Sequence, residues 1–544
     1  MMDVRILSSM EKVFLDQAPG EKPLRLRGLR NETISFQLAF RHEEAQRQEV
    51  HAAVDSALAD YVHLRRVEQV PVRFPMYADG DADTLRREPG LFPDLLKEIR
   101  PHSLYISRQW NCLWVDVCLD GAALEGKYPL TIRLEDEQGT MLTTRTVEIE
   151  VIPALLPPQR LIHTRWFHCD GLAQYYGVEA FSEEHWRIIG HFIRAAVKRG
   201  INMILMPIHT PPLDTRVGGE RLTTQLVKIR CEKGRYSFDM TDLRRWIALC
   251  KECGVEYYEA AHLYTQWGAG HAPKIMATVD GEYRRLFGWE TDALGAAYRE
   301  FLQAYIPALR RVFEEEGIAQ RVRWHISDEP SRQHLESYLA ARRQVDQVLE
   351  GCIVMDALSN FEFYKQGVVA HPVVANDHME PFLEAEVSGL WTYYCCAQYK
   401  RVSNMFIAMP SWRNRMIAPQ LFLYDIEGLL QWGYNFYNCQ YSDYSVNPYL
   451  TTDADGWVPA GDPFQVYPGE GGVPEESMRM MVTFHALQDL RAMELLAQLT
   501  SREAVKALVE RVWGEKIRFD TLPPNGEKLL ELREAINQEI LLHL

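Results

Sequence analysis

The chain has 544 residues, too many for one compact core, so at least two domains are expected. Its apolar share of 47% and charged share of 25% are ordinary for a globular protein in water. The net charge of −16 argues against nucleic acid, which needs a basic footprint, and no apolar run approaches the ~20 residues that span a bilayer.

At the start, M-M-D-V-R-I-L-S-S-M has no basic head followed by a long apolar stretch, so no secretory signal is visible and a cytoplasmic location is expected. Residues 1–155 read as a β-sandwich domain. T-I-S-F-Q-L-A-F (33–40), L-W-V-D-V-C-L (113–119), Y-P-L-T-I-R-L (128–134) and T-V-E-I-E-V-I (146–152) alternate with period two, and Asp120-Gly121 and Gln138-Gly139 mark turns. P-A-L-L-P-P-Q (153–159) breaks the pattern as a linker.

The rhythm then becomes strand, helix, strand, helix. Strands are predicted at 161–168, 201–206, 255–263, 322–327, 352–356, 372–375, 389–395 and 429–436, with helices at 183–199 and 295–316 among the gaps. Eight such strands predict a (β/α)8 barrel over 156–500, and 501–544 reads as a helical extension packed on it. The ten cysteines are scattered. Cys250-x-x-Cys253 lies in a predicted helix with no second ligand pair, so reduced thiols are expected rather than zinc. No cofactor or metal is expected.

In a barrel of this kind the chemistry sits where the strands end. The first strand delivers His168 and Asp170, the third His262 with Gln266 and Trp267, and the fourth Asp328 and Glu329. The sixth delivers Asn376, Asp377 and His378, the seventh Trp391, Tyr393 and Tyr394, and the eighth Trp432 and Asn435. Neither a Gly-rich phosphate loop nor a G-x-S-x-G elbow is present. Rings beside planar polar groups suit a sugar, whose C–H face stacks while its hydroxyls pair. A glycan or glycoconjugate is the expected partner, with neither nucleic acid nor membrane, and a homo-oligomer is compatible with the sequence.

W-H-I-S-D-E-P (324–330) places two acids side by side at a strand end. Alternation predicts that Asp328 and Glu329 start toward different sides, and Pro330 favours extended backbone at Glu329. Adjacent acids oppose each other's ionisation, which suits a general acid; a solvated helix start is the other reading. Ordinary glycosidases straddle the sugar with carboxyls ~5–5.5 Å or ~6.5–9.5 Å apart, which immediate neighbours do poorly. Neighbours can serve one side if a 2-acetamido group on the substrate attacks C1 itself.

S-D-E-P (327–330) resembles glycoside hydrolase family 123, the β-N-acetylgalactosaminidases. L-W-T-Y-Y-C-C (390–396), the run from Phe422 to Tyr437, D-P-F-Q-V-Y-P-G (462–469), S-M-R (477–479) and A-L-Q-D-L-R-A (486–492) resemble the related domain of unknown function numbered 4091. R-N-E-T-I-S-F-Q (30–37) is similar to the sandwich preceding such barrels. The resemblance implies a retaining exo-hydrolase of β-linked 2-acetamido sugars, best N-acetylgalactosamine, acting through an oxazolinium intermediate. Asp328 would then stabilise the acetamido group and Glu329 act as acid and base. Tyr393 or Tyr394 would hold the acetamido oxygen, and Arg413 and Arg415 in S-W-R-N-R-M would bind sugar hydroxyls.

Three alternatives stay open. The first is a two-carboxylate glycosidase acting on a 2-hydroxyl sugar, with Glu329 as acid and Asp377 or Asp170 opposite. The second is a metal enzyme using His168, Asp170, His262 and His378 with Asp328. The third is a barrel that binds carbohydrate without turnover.

Overall fold

The computed structural model describes residues 2–43 and 47–544. Two five-stranded sheets form the N-terminal region. One orders Met2–Ser8, Thr33–His42, Asn111–Cys118, Val62–Val72 and Gly90–Glu98. The other orders Leu26–Leu29, Met141–Ile152, Gly126–Asp136, Gln48–Asp55 and Tyr105–Ile106. Alternate residues Phe36, Leu38, Phe40, Leu113, Val115 and Val117 of the first face Leu130, Ile132, Leu134, Ile149 and Val151 of the second. The first sheet is covered on its other face as well. There Leu7, Val67, Trp110 and Trp114 pack on Met478 and Met481 of the helix Met478–Leu499. Burial on both faces explains why N-C-L-W-V-D-V-C is almost uniformly apolar. Its one acid, Asp116, is held by Arg65 at 2.5 Å, with Ser35 and the Trp114 indole each donating to it at 2.6 Å.

After Ile152 the chain runs through the proline-rich segment to a closed barrel of eight parallel strands. In order they are Ile162–Arg165, Met203–Met206, Tyr257–Ala260, Val322–Trp324, Ile353–Leu358, His371–Ala375, Trp391–Tyr393 and Gly428–Gln431. The last pairs with the first, Gly428 opposite Ile162. All eight lie within or against the predicted segments. Inward residues Met203, Leu205, Met355, Ala357, Val373, Trp391 and Leu430 fill the barrel, while Ile204, Met206, Val354, Val374 and Leu429 meet the surrounding helices.

The helices Glu183–Lys198 and Ala296–Glu315 form where predicted. Two hairpins were not predicted. Lys228–Glu232 with Arg235–Asp239, and Ile275–Val279 with Glu282–Phe287, join into a four-stranded sheet built on the loops after the second and third barrel strands. Helices Met478–Leu499, Arg502–Trp513 and Glu527–Leu542 close the chain. Arg533 on the last of these reaches Asp489 at 2.9 Å and Glu32 at 2.6 Å, so the tail ties the N-terminal sheets to the barrel as well as packing on it. All ten cysteines are free. Among the described residues no helix is long and apolar enough to cross a membrane.

Candidate active site

The fourth strand stops pairing at Trp324. Beyond it the chain is pinned by other contacts. Ile326 N donates to the Asp356 carboxylate at 3.0 and 3.2 Å, Ser327 Oγ to the Thr265 carbonyl at 2.8 Å, and Trp267 N to the Asp328 carbonyl at 3.0 Å. These contacts override the local preference imposed by Pro330. Glu329 is left-handed, at φ +43°, not extended as predicted. The turn swings Glu329 back, so both acids line one hollow instead of diverging. Such backbone costs about 1–3 kcal/mol at a non-glycine residue and persists only where the surroundings enforce it. The helical turn that follows is capped by Ser331, leaving both acids outside it.

Trp166, Trp267, Trp432 and Trp457 wall the hollow, with Leu430 and Ala357 between them. Asp214, Asp328, Glu329 and Tyr393 supply its strong polar groups, and the Cys395 and Cys396 thiols complete it. Tyr393 Oη donates to Glu329 Oε1 at 2.6 Å. Asp328 Oδ1 is buried without a hydrogen-bond donor. Burial pushes the Asp328 carboxyl well above the usual range, and the charges of Glu329 and Asp214 push it further. Burial also raises Glu329, opposed by the Tyr393 hydroxyl and reinforced by Asp377. Asp214 is pushed up to about 7, mainly by burial, with Arg221 pulling it down and Glu329 pushing it up. Burial thus raises all three carboxyls, and the charges of Asp328's neighbours and of Asp214's oppose their simultaneous ionisation.

Beneath lies a second polar layer. The ring nitrogens of His325 face Glu259 Oε1 at 3.1 Å and Asp356 Oδ1 at 3.3 Å. Glu259 also accepts from Thr164 Oγ1 at 2.5 Å and from the Trp166 indole at 3.3 Å, and Asp356 accepts from Tyr338. Burial alone would push His325 down, but the two carboxylates outweigh it and hold the imidazolium up to about 9. His262 stacks on His325 with ring centres 4.4 Å apart. Donor atoms of His262, His325 and Asp356 lie within 4.8 Å of one another, a set able to hold a transition-metal ion. Both His325 nitrogens already face carboxylates, so His325, Glu259 and Asp356 form an ionic network beneath the hollow, while both ring nitrogens of the stacked His262 are buried without a hydrogen-bond partner.

The family model for the glycoside hydrolase 123 catalytic domain matches residues 166–496, which contain every group lining the hollow. This chain belongs to glycoside hydrolase family 123. A solved family 123 glycoside hydrolase from Clostridium perfringens, described in work on glycolipid glycan hydrolysis, shares its fold. The TM-score is 0.75 over 99% of this chain and 97% of that one, at 12% identity. The beta-glucuronidase of Parabacteroides merdae aligns over 84% of this chain and 50% of its own at 10% identity; its TM-score of 0.31 carries no argument. No curated protein matches.

Within this family 123 barrel the hollow gathers only some of the residues predicted from strand ends. Asp328, Glu329, Trp267, Tyr393 and Trp432 line it. Gln266 stands behind it, accepting from Asp214 N at 2.7 Å. Of the two tyrosines, Tyr393 faces Glu329, while Tyr394 turns outward toward Met405, as alternation along a strand requires. Asp377 and His378 are exposed and face each other at 2.7 Å; only the Asp377 charge reaches Glu329.

The rest lie outside the hollow and contact other groups of the protein. Asp170 receives two bonds from Arg221, each 2.9 Å, and His168 is clamped to Asn435 through its backbone and to the Trp432 carbonyl at 3.1 Å. His262 lies in the layer beneath the hollow. Asn376 donates to the Ser403 carbonyl at 2.8 Å. Trp391 fills the barrel over Gly428. Arg413 and Arg415, predicted to bind sugar hydroxyls, are buried and bound to acids: Arg413 to Asp81 and Asp83 at 2.9 and 3.1 Å, and Arg415 to Asp489 at 2.6 Å. The predicted metal set is dispersed in the same way, since His168, Asp170 and His378 each have another partner.

Sequence reasoning missed Trp166, Asp214, Trp457 and the two thiols. Trp166 was absorbed into the predicted first strand, and Trp457 follows the eighth strand only after a long excursion. Asp462, also missed, accepts from the Trp432 indole at 2.8 Å and holds that wall in place. Burial pushes its carboxyl up to about 7 against the pull of that bond.

Proposed function

We propose that the protein is a retaining exo-glycosidase that removes a β-linked 2-acetamido sugar by substrate-assisted catalysis. N-acetylgalactosamine is the sugar the family resemblance implies. The observation that carries this reading is that Asp328 and Glu329 are neighbours in one hollow, with Asp328 Oδ1 lacking a donor.

An acetamido N–H supplies the missing donor. Bonding to it favours the ionised form of Asp328, which leaves the shared proton on Glu329. The acetamido oxygen then attacks C1, the bond to the leaving oxygen breaks, and Glu329 protonates that oxygen. Asp328 stabilises the positive oxazolinium ring. In the second half Glu329 takes a proton from water, the resulting hydroxide attacks C1 and the ring reopens, so the configuration at C1 is retained. The tryptophan walls stack on the sugar and exclude water, which strengthens both carboxyl contacts.

Asp214 raises a second reading, with the sugar attacked by a carboxylate of the enzyme. A nucleophile must be ionised, but burial raises the Asp214 carboxyl and among the described residues none donates a hydrogen bond to it, so no protein hydrogen bond favours the ionised form that role needs. Asp170, held by Arg221, and Asp377, exposed, fit it no better.

A panel of aryl β-glycosides tests the proposal. Turnover is expected for 2-acetamido sugars and not for their 2-hydroxyl counterparts. Asp328→Asn should lower kcat by about 100-fold or more, the scale seen on losing one charge-stabilising group. Hydrolysis confined to 2-hydroxyl sugars would overturn it.

A further inference from the structure

We infer that Asp214 is a substrate-binding residue that clamps hydroxyl groups of the bound sugar. The inference takes from the proposed function only that the hollow receives a sugar.

Asp214 sits in H-T-P-P-L-D-T-R, eight residues beyond the second barrel strand, with left-handed backbone at φ +46°. Its loop is braced at several points. Asp214 N donates to Gln266 Oε1 at 2.7 Å, Ser442 Oγ donates to the Asp214 carbonyl at 2.8 Å, and Arg221 Nη1 donates to the Leu213 carbonyl at 2.7 Å. Arg221 is itself fixed by Asp170. Neighbouring rim loops are held in the same way: Trp267, Tyr441 and Ser442 are also left-handed. Strain of this kind is kept where the surroundings determine it and function uses it.

All this bracing acts on the backbone. Among the described residues no protein group donates a hydrogen bond to the Asp214 carboxyl, which lines the hollow with Asp328 and Glu329. The chain's structural acids differ: Asp116, Asp94 and Asp489 each face an arginine within 2.5–2.8 Å. Arg221, the cation whose charge reaches Asp214, is bound to Asp170 instead.

The hollow needs such a group. Its indole walls give stacking but do not orient a ring, and the Trp166 and Trp432 N–H groups are used by Glu259 and Asp462. Asp328, Glu329 and Tyr393 are committed to the reacting end. Asp214 is the remaining strong acceptor, and a 2-acetamido sugar still offers hydroxyls at C3, C4 and C6. A carboxyl bonded to one or two of them sets which face of the sugar meets the catalytic pair.

The test uses the full chain, an aryl β-glycoside that the wild type hydrolyses, and its 3-, 4- and 6-deoxy analogues, with Asp214→Ala and Asp214→Asn. A hydrogen bond to a carboxyl predicts that Asp214→Ala lowers kcat/KM by about 10- to 100-fold on the parent sugar. At least one deoxygenation should cost the wild type about as much and the variant less than about threefold. A structural role would not produce that non-additivity. The isosteric Asp214→Asn should melt with the wild type and show the same pattern at smaller amplitude, which covers the case of an unfolded alanine variant. Equal deoxygenation penalties in wild type and both variants would overturn the clamp. So would restored turnover of Asp214→Ala with azide and a glycosyl azide product, which would make Asp214 the nucleophile. A wild type active only on 2-hydroxyl sugars would end the acetamido mechanism yet leave this test intact on that sugar.

Discussion

In the proposed mechanism Glu329 works through its contact with Tyr393. The phenol donates to Oε1 at 2.6 Å and stabilises the carboxylate, opposing the burial that raises this group. Removing the hydroxyl therefore raises the pKa of Glu329. In Tyr393→Phe the basic limb of kcat/KM against pH should move to higher pH, because Glu329 keeps its proton further up the scale. The activity at neutral pH should fall by about tenfold, since the carboxyl also loses the bond that aims it. A pH profile on an unactivated aryl glycoside reads both effects. A basic limb that stays in place would show that Glu329 is not the proton donor.

The barrel elements show what neighbouring strands demand of each other. Gly428 opens the eighth strand opposite Trp391 of the seventh. A Cβ there would lie 2.0–2.3 Å from the indole ring, inside any allowed contact. Gly428→Ala should lower stability by about 3 kcal/mol, and replacing Trp391 with leucine in the same chain should recover part of it; urea unfolding gives both numbers. This contact also explains the limits of reading strand ends from sequence. The eight strands were legible because buried parallel strands are apolar runs between helical periods. Asp328 and Glu329 were legible because two acids followed by proline interrupt such a run. Trp391, two places before the useful Tyr393, looked equally functional, and only the missing side chain at residue 428 shows it to be filling. Asp214 left no periodic signal eight residues past its strand, and its backbone strain is a tertiary property. The two hairpins are short and half exposed, with charged residues such as Lys228, Arg230 and Glu232 on the open face, so they read as loop.

Across the whole molecule the N-terminal sheets and the barrel share one interior. Asp94 of the first sheet, fully buried, meets Arg479 of the helix after the eighth strand at 2.8 Å, and Arg65 meets both Asp116 and Glu476. A loop from the same sheet reaches the barrel rim, where Tyr77 packs on Tyr399 with ring centres 4.5 Å apart and Asp81 and Asp83 hold Arg413. Arg479→Met would strand the Asp94 carboxylate in a dry interior, at a cost of about 3–5 kcal/mol. Because the interior is shared, tryptophan fluorescence and far-ultraviolet dichroism should report one common urea transition at a lower midpoint. Separated transitions would mean that the two regions unfold independently.

The most direct test of a sugar that attacks itself is a series of substrates whose N-acyl group is acetyl, fluoroacetyl, difluoroacetyl or trifluoroacetyl. Each fluorine weakens the acyl oxygen as a nucleophile while leaving the sugar hydroxyls untouched. Self-attack predicts that kcat on an activated aryl glycoside falls progressively along the series. A flat series, with kcat indifferent to fluorine, would mean that C1 is attacked by a group of the enzyme and that the pairing of Asp328 with Glu329 serves another purpose.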